Sequence, residues 1–278
     1  MKILTNTKRG WLVIRDWFLF AVVYLAYSMV WELGIYASGF AMDGVVELLL
    51  AQFGAVLALF ATYFSLKKVR TLPSSGLGFT IRGRGKDVIG GILVATLLYS
   101  FGFGISCFAG WIQVESVQWP WKSMLTTWLL FFLVAVYEET LLRGIVLGKL
   151  LDSGMSKLVA LVLSSLLFSV LHLLNPHFSC LPFANLFLAG VMLGASYVYT
   201  RNLWFPISLH WFWNWLQGPV LGYGVSGIKI DEPALTIRFS GSEMLSGSSF
   251  GFEGTLLCTI LMIIVTGVII GRCRQIYR

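Results

Sequence analysis

The chain has 278 residues, 57% of them hydrophobic and only 12% charged, with a mean hydropathy of +0.81. A soluble domain would carry about twice that share of charge, so the composition excludes a soluble globular class and predicts a polytopic, all-α membrane protein. The net charge of +7 is no nucleic-acid footprint, and no nucleic-acid partner is expected, because most of the basic residues flank apolar segments.

The opening "MKILTNTKRGWLVIRDW" lacks the short apolar core and small-residue cleavage site of a secretory signal. It reads as the basic flank of a retained first span. A spanning helix needs roughly 20 apolar residues. On that criterion eight spans are predicted, at about 17–38, 44–66, 87–112, 124–149, 157–174, 183–200, 203–218 and 254–271. The seventh is short and aromatic. The stretch 219–253 is a Gly- and Ser-rich loop in which "IKIDEPALTIRF" partly alternates, so a small hairpin is open there. A lid role is conceivable for this loop, and a solvated loop is the simpler expectation. Cys107, Cys180, Cys258 and Cys273 form neither a disulfide framework nor a zinc spacing. The whole chain, 1–278, is expected to be one integral membrane domain.

Orientation follows from Lys and Arg. With a cytoplasmic N-terminus, sixteen basic residues lie inside, Lys122, Lys229 and Arg238 lie outside, and Arg143 falls within the membrane. The expectation is a multi-pass protein of the cell membrane with both termini cytoplasmic, facing anionic lipid.

The fourth span carries "AVYEETLLRG", with Glu138, Glu139 and Arg143 inside an apolar helix. A charge near the bilayer centre costs at least a few kcal/mol and marks function by default. Residues four apart on a helix are neighbours, so Arg143 is expected to neutralise Glu139. Glu138 then lacks a local counter-charge, and a carboxylate free to take up a proton is what a general base requires. Glu139 and Arg143 read equally well as a pair that only locks helices together. The fifth span brings His172, and the seventh brings His210 and Asn214, four apart on one face.

Measured from the basic flanks at about 1.5 Å per residue, Glu138 lies roughly 16 Å deep, His172 roughly 22 Å, and His210 and Asn214 roughly 13 and 19 Å. A shared depth is most economically a shared cavity. A carboxylate and an imidazole can activate water, while a second imidazole and an amide can donate to an oxyanion. That set describes hydrolysis of an amide by water without a covalent intermediate. Ser164 and Ser165 leave a serine nucleophile open. Zinc on the histidines and glutamates is the competing reading, although HExxH is absent.

These residues resemble the motifs of the CPBP family of intramembrane proteases, the group that includes the CAAX prenyl endopeptidase, in its bacterial type. The family shows EExxxR, FxxxH and HxxxN, and the chain reads "EETLLR" (138–143), "FSVLH" (168–172) and "HWFWN" (210–214). "SSLLF", "GVMLG" and "TRNLWFPISLH" match the context around the second and third motifs. The resemblance covers about 124–218, the predicted protease core, built from helices four, five and seven. It implies that Glu138 and His172 activate water and that His210 and Asn214 hold the oxyanion. It also implies that Glu139, Arg143 and Phe168 support the site or contact substrate, and that no cofactor or metal takes part. Leu142 stands where the family often has an aromatic residue, a departure expected to alter packing more than chemistry.

The function expected is that of an intramembrane endopeptidase acting on a peptide or small membrane-associated protein. The sequence does not specify the oligomeric state. One rival is a non-enzymatic immunity or scaffold protein that keeps the motif residues for stability. Another is a proton-coupled transporter, which intramembrane Glu, His and Arg also suit. Paired inverted repeats with broken helices would favour the transporter, and none is visible.

Overall fold

The computed structural model describes residues 2–38, 44–66, 72–73 and 76–276, with side chains described from Arg15 onward. Lys67, Lys68, Arg70 and Arg278, counted above as cytoplasmic, lie outside the described residues, as do the side chains of Lys2, Lys8 and Arg9.

In chain order, helix α1 (Lys2–Ser38) precedes α2 (Val45–Leu66) and α3 (Gly85–Phe108). Strand β1 (Ile112–Val117) leads into α4 (Trp121–Glu139), which continues as a π-helix over Thr140–Leu147 and ends as α5 (Gly148–Asp152). Helices α6 (Lys157–Leu171), α7 (Cys180–Thr200) and α8 (Trp204–Trp215) follow, the last extended by a π-helical turn over Leu216–Val220. Strand β2 (Leu235–Phe239), a short α9 (Glu243–Ser246), a 3₁₀ turn over Phe252–Gly254 and α10 (Leu256–Ile276) complete the chain.

The protein is mostly helical; the expected eight spans are met in part, and one predicted detail changes. By length and composition, five helices among the described residues can cross a membrane: Arg15–Ser38, Val45–Leu66, Gly85–Phe108, Cys180–Thr200 and Leu256–Ile276. The remaining predicted spans are a charged, interrupted helix (α4 through α5) and two shorter ones, α6 and α8. The chain is also not purely α. The alternating stretch in the 219–253 loop forms no local hairpin. Its β2 pairs antiparallel with β1, Ile112 opposite Phe239 and Val117 opposite Leu235, with a bulge between Val114 and Ser116. Residue 112 thus begins a strand rather than ending the third span, because Gly110, at φ +71°, turns the chain.

The molecule has two chemically distinct ends. One, the strand end, carries β1, β2 and the starts of α4, α7 and α10. The other is tied by cations: Lys149 Nζ lies 3.6 Å from Asp16, Arg201 pairs with Asp152 at 2.8 Å, and Arg274 donates to the Tyr199 hydroxyl at 3.2 Å. Lys157 sits over the Tyr199 ring at 4.6 Å. Apolar side chains such as Phe18, Ile263 and Val268 face outward along the shaft, as lipid-facing residues do.

Small residues let the inner helices approach closely, the usual device where lipid removes the hydrophobic driving force. A Cβ on Gly190 of α7 would come within 2.8 Å of Ser165 Cα on α6. Changing Gly190 to alanine is expected to cost about 1–3 kcal/mol through overpacking. The same change at Gly34, where nothing lies within 4 Å, should be near neutral. Thermal unfolding in detergent reads both.

Candidate active site

The site begins where α4 widens. Glu138 and Glu139 are its last two residues, and the π-helix starts at Thr140. Such segments are rare and concentrate at functional sites. Here the wider turn leaves carbonyls for neighbours to meet. Leu142 O accepts from Ser164 Oγ at 2.9 Å, Gly144 O from the Tyr197 hydroxyl at 3.4 Å, and Gly148 O from Arg201 Nη1 at 3.2 Å. Helices α6, α7 and the α7–α8 turn therefore hold the interrupted helix in place. At that turn Arg201 is left-handed (φ 51°), Asn202 Oδ1 accepts from Trp204 N, and Asn202 Nδ2 donates to Thr80 O. The "TRNLW" stretch thereby sets where α8 begins and where its His210 comes to lie.

Arg143 Nη1 donates to Glu139 Oε1 at 2.9 Å, the expected pair, and both side chains are essentially sealed from solvent (1% and 0% exposed). The Arg143 Nη2 atom donates to Gly190 O at 3.1 Å, and the guanidinium lies 4.7 Å over the Phe168 ring. The close approach at Gly190 is what brings that carbonyl within reach. Sequence reasoning missed a further partner: His210 Nδ1 meets the same Glu139 oxygen at 2.8 Å. A carboxylate that already accepts from Arg143 accepts here too, so Nδ1 is the donor and Nε2 is the atom left to the site. That Nε2 lies 3.9 Å from Glu138 Oε2, too long for a hydrogen bond.

Glu138 is 23% exposed, and its Oε2 has no hydrogen-bond partner among the described residues. Across the site, His172 caps the end of α6 and its Nδ1 lies 2.7 Å from Phe168 O. A carbonyl can only accept, so Nδ1 carries the proton and Nε2 of the neutral ring is a free base. The Phe168 ring lies tilted 4.8 Å from the His172 ring and edge-on 6.0 Å from the His210 ring, next to both imidazoles.

One cavity of about 510 Å³ is lined by Glu138, Phe168, His172, His210 and Asn214. Three separate segments thus deliver the residues to one space. Glu139 and Arg143 do not line it. Glu139 stands behind His210, against its Nδ1, and Arg143 stands behind Glu139. Ser164 and Ser165 do not line it either, and both hydroxyls donate to backbone carbonyls, of Leu142 and Leu161. Leu142 is buried in the wall, where an aromatic residue was the alternative. Among the described residues no three His, Cys, Asp or Glu side chains converge as a metal would require.

The 219–253 loop is solvated only in part. Val225, Ser226, Ile228 and Ile230 line the cavity, and so does Glu253, at its end. Glu253 is buried. Its Oε1 accepts from Trp213 Nε1 at 2.9 Å, and its Oε2 accepts from Ser226 N at 2.9 Å, Ser226 Oγ at 2.8 Å and Gln217 Nε2 at 3.3 Å. Gln217 is fully buried as well, accepting from Tyr99 and donating to Gly224 O. Gly227 (φ +86°) passes so close to Pro176 O that a Cβ would sit 2.1 Å away, and Asn175 Nδ2 donates to Ser226 O. These contacts fasten the loop to α8 and to the turn after His172. The signals for them were weak: one carboxylate just before an apolar helix, and one amide in "WLQGPV".

No curated protein matches the chain. Residues 119–216 match the family model described as type II CAAX prenyl endopeptidase Rce1-like. That stretch begins two residues before α4 and ends just after α8, and holds all three motifs. Over those 98 of its 278 residues the chain is similar to the Rce1-like CAAX prenyl endopeptidases.

Proposed function

We propose that the chain is an intramembrane endopeptidase that hydrolyses a peptide bond with water activated by Glu138 and His172. The observation that carries this reading is the single cavity shared by Glu138, His172, His210 and Asn214. Water held between the Glu138 carboxylate and His172 Nε2 attacks the scissile carbonyl carbon and yields its proton to Glu138. The carbonyl oxygen becomes an oxyanion that the Asn214 amide stabilises together with His210 acting as an imidazolium, its Nδ1 donating to Glu139 and its Nε2 to the oxyanion. Glu138 then passes the proton to the amide nitrogen, the C–N bond breaks, and an acid and an amine leave. Glu139 and Arg143 are positioning residues: through Nδ1 they fix the direction of the His210 ring.

The catalytic core in this reading is 124–218, within one membrane domain of eight passes in the cell membrane and with both termini cytoplasmic. The substrate is a peptide or small membrane-associated protein. Mass spectrometry of peptides from membranes with and without the wild-type chain tests the activity. New cleavage products are expected only with the chain present, and identical profiles would remove the reading. The mechanism uses no metal, so activity is expected to survive chelation, with no stoichiometric zinc by elemental analysis. Loss of activity together with bound zinc would contradict it.

A further inference from the structure

The cavity is not symmetric between the two ends of the molecule. Its lining residues outside the membrane helices, among them Asn175, Val225, Ser226, Ile228 and Ile230, all come from connections at the strand end. The most exposed lining residues are Leu48 in the first turn of α2 (54%), Leu171 in the last turn of α6 (55%) and Ile228 in the loop (50%). All three are at that same end. Toward the opposite end the buried Glu139–Arg143 pair, with Leu142 and Ser164, closes the space. That closed end carries Arg84, Lys149, Lys157, Arg201 and Arg274, whereas the strand end carries Lys122, Lys229 and Arg238. Basic residues mark the cytoplasmic side.

The open side therefore faces away from the cytoplasm. We propose that substrate enters from the non-cytoplasmic face, between α2, the end of α6 and the 225–230 loop. The occupant is an extended apolar peptide segment arriving at the level of the outer leaflet, not a cytoplasmic protein tail. Apolar side chains meet Leu48, Leu130, Val134, Ile228 and Ile230. The peptide backbone meets Gln52, whose Nε2 is buried in the wall without a hydrogen-bond partner among the described residues. A peptide at this depth needs such partners, since lipid supplies none. The nature of the occupant rests on the protease reading above, and the direction of entry rests on the place of the mouth and the charge asymmetry, which do not depend on that reading.

The test is thiol labelling of single-cysteine variants, with Cys107, Cys180, Cys258 and Cys273 replaced by alanine. Ile228→Cys and Leu48→Cys mark the mouth, and Ile81→Cys marks the opposite end, where residue 81 is exposed. With a membrane-impermeant maleimide, the two mouth variants are expected to label in intact cells at least tenfold faster than Ile81→Cys. Inverted membrane vesicles should reverse the order. The opposite pattern would overturn the direction of entry.

An impermeant dye-linked apolar pentapeptide added outside is expected to slow labelling at Ile228→Cys at least threefold. An unchanged rate would overturn the occupant. Should the cysteine-free background misfold, native Cys180, exposed at the start of α7, serves in the wild-type chain and should label from outside. Labelling requires no turnover, so its outcome is separate from that of the cleavage assay.

Discussion

Changing Glu138 to glutamine is expected to lower peptide-bond cleavage by about 10²–10⁴-fold, the usual contribution of a positioned general base. The substitution keeps the shape of the side chain and removes only its ability to take a proton. Structural damage should be small, because Glu138 borders the cavity and its Oε2 has no hydrogen bond to lose. Expression and thermal unfolding in detergent should match the wild type while the cleavage products disappear from the peptide profile. A Glu138→Gln chain with full cleavage activity would end the water-activation mechanism. One that keeps a biological effect but never shows cleavage would favour the immunity or scaffold role.

The second large effect is on stability. Arg143→Met is expected to destabilise the fold by up to about 3–5 kcal/mol, because it leaves the Glu139 carboxylate, sealed from water, with only the His210 Nδ1 hydrogen bond among the described residues. Removing both charges, as Arg143→Met with Glu139→Gln, should restore more than half of that loss. The coupling of the double-mutant cycle measures the pair. Cleavage should fail in the double variant, since His210 loses the ionised oxygen that orients it. If Arg143→Met unfolds at the wild-type temperature, the pair holds nothing together.

The membrane helices were largely legible. Hydropathy placed the second at 44–66 against Val45–Leu66 and the third at 87–112 against Gly85–Phe108, because long apolar runs have one physical solution in lipid. The pairing of Glu139 with Arg143 followed from helical spacing. What was not legible depends on contacts distant in sequence. The π-helix after Glu139 is held by hydroxyls on α6 and α7, which no local pattern reports. The fifth span was drawn too long because His172 ends α6, with a turn through Asn175 and Pro176 after it. The contact of His210 with Glu139 joins residues 71 apart, and motif order alone does not show which glutamate a histidine faces. Strand β1 was hidden because β-pairing is decided by the partner strand, here more than a hundred residues away.

Strand β2 ties the second half of the 219–253 loop to β1, and Glu253 clamps the first half to α8. Both fasteners lie beyond residues 119–216, the part shared with the Rce1-like proteins. Two relatives could therefore keep identical chemistry and differ wholly in diet, by exchanging a surface ribbon and one carboxylate. In such a lineage, motif conservation would track the reaction, and preference for one victim over another would drift independently with residues 223–239.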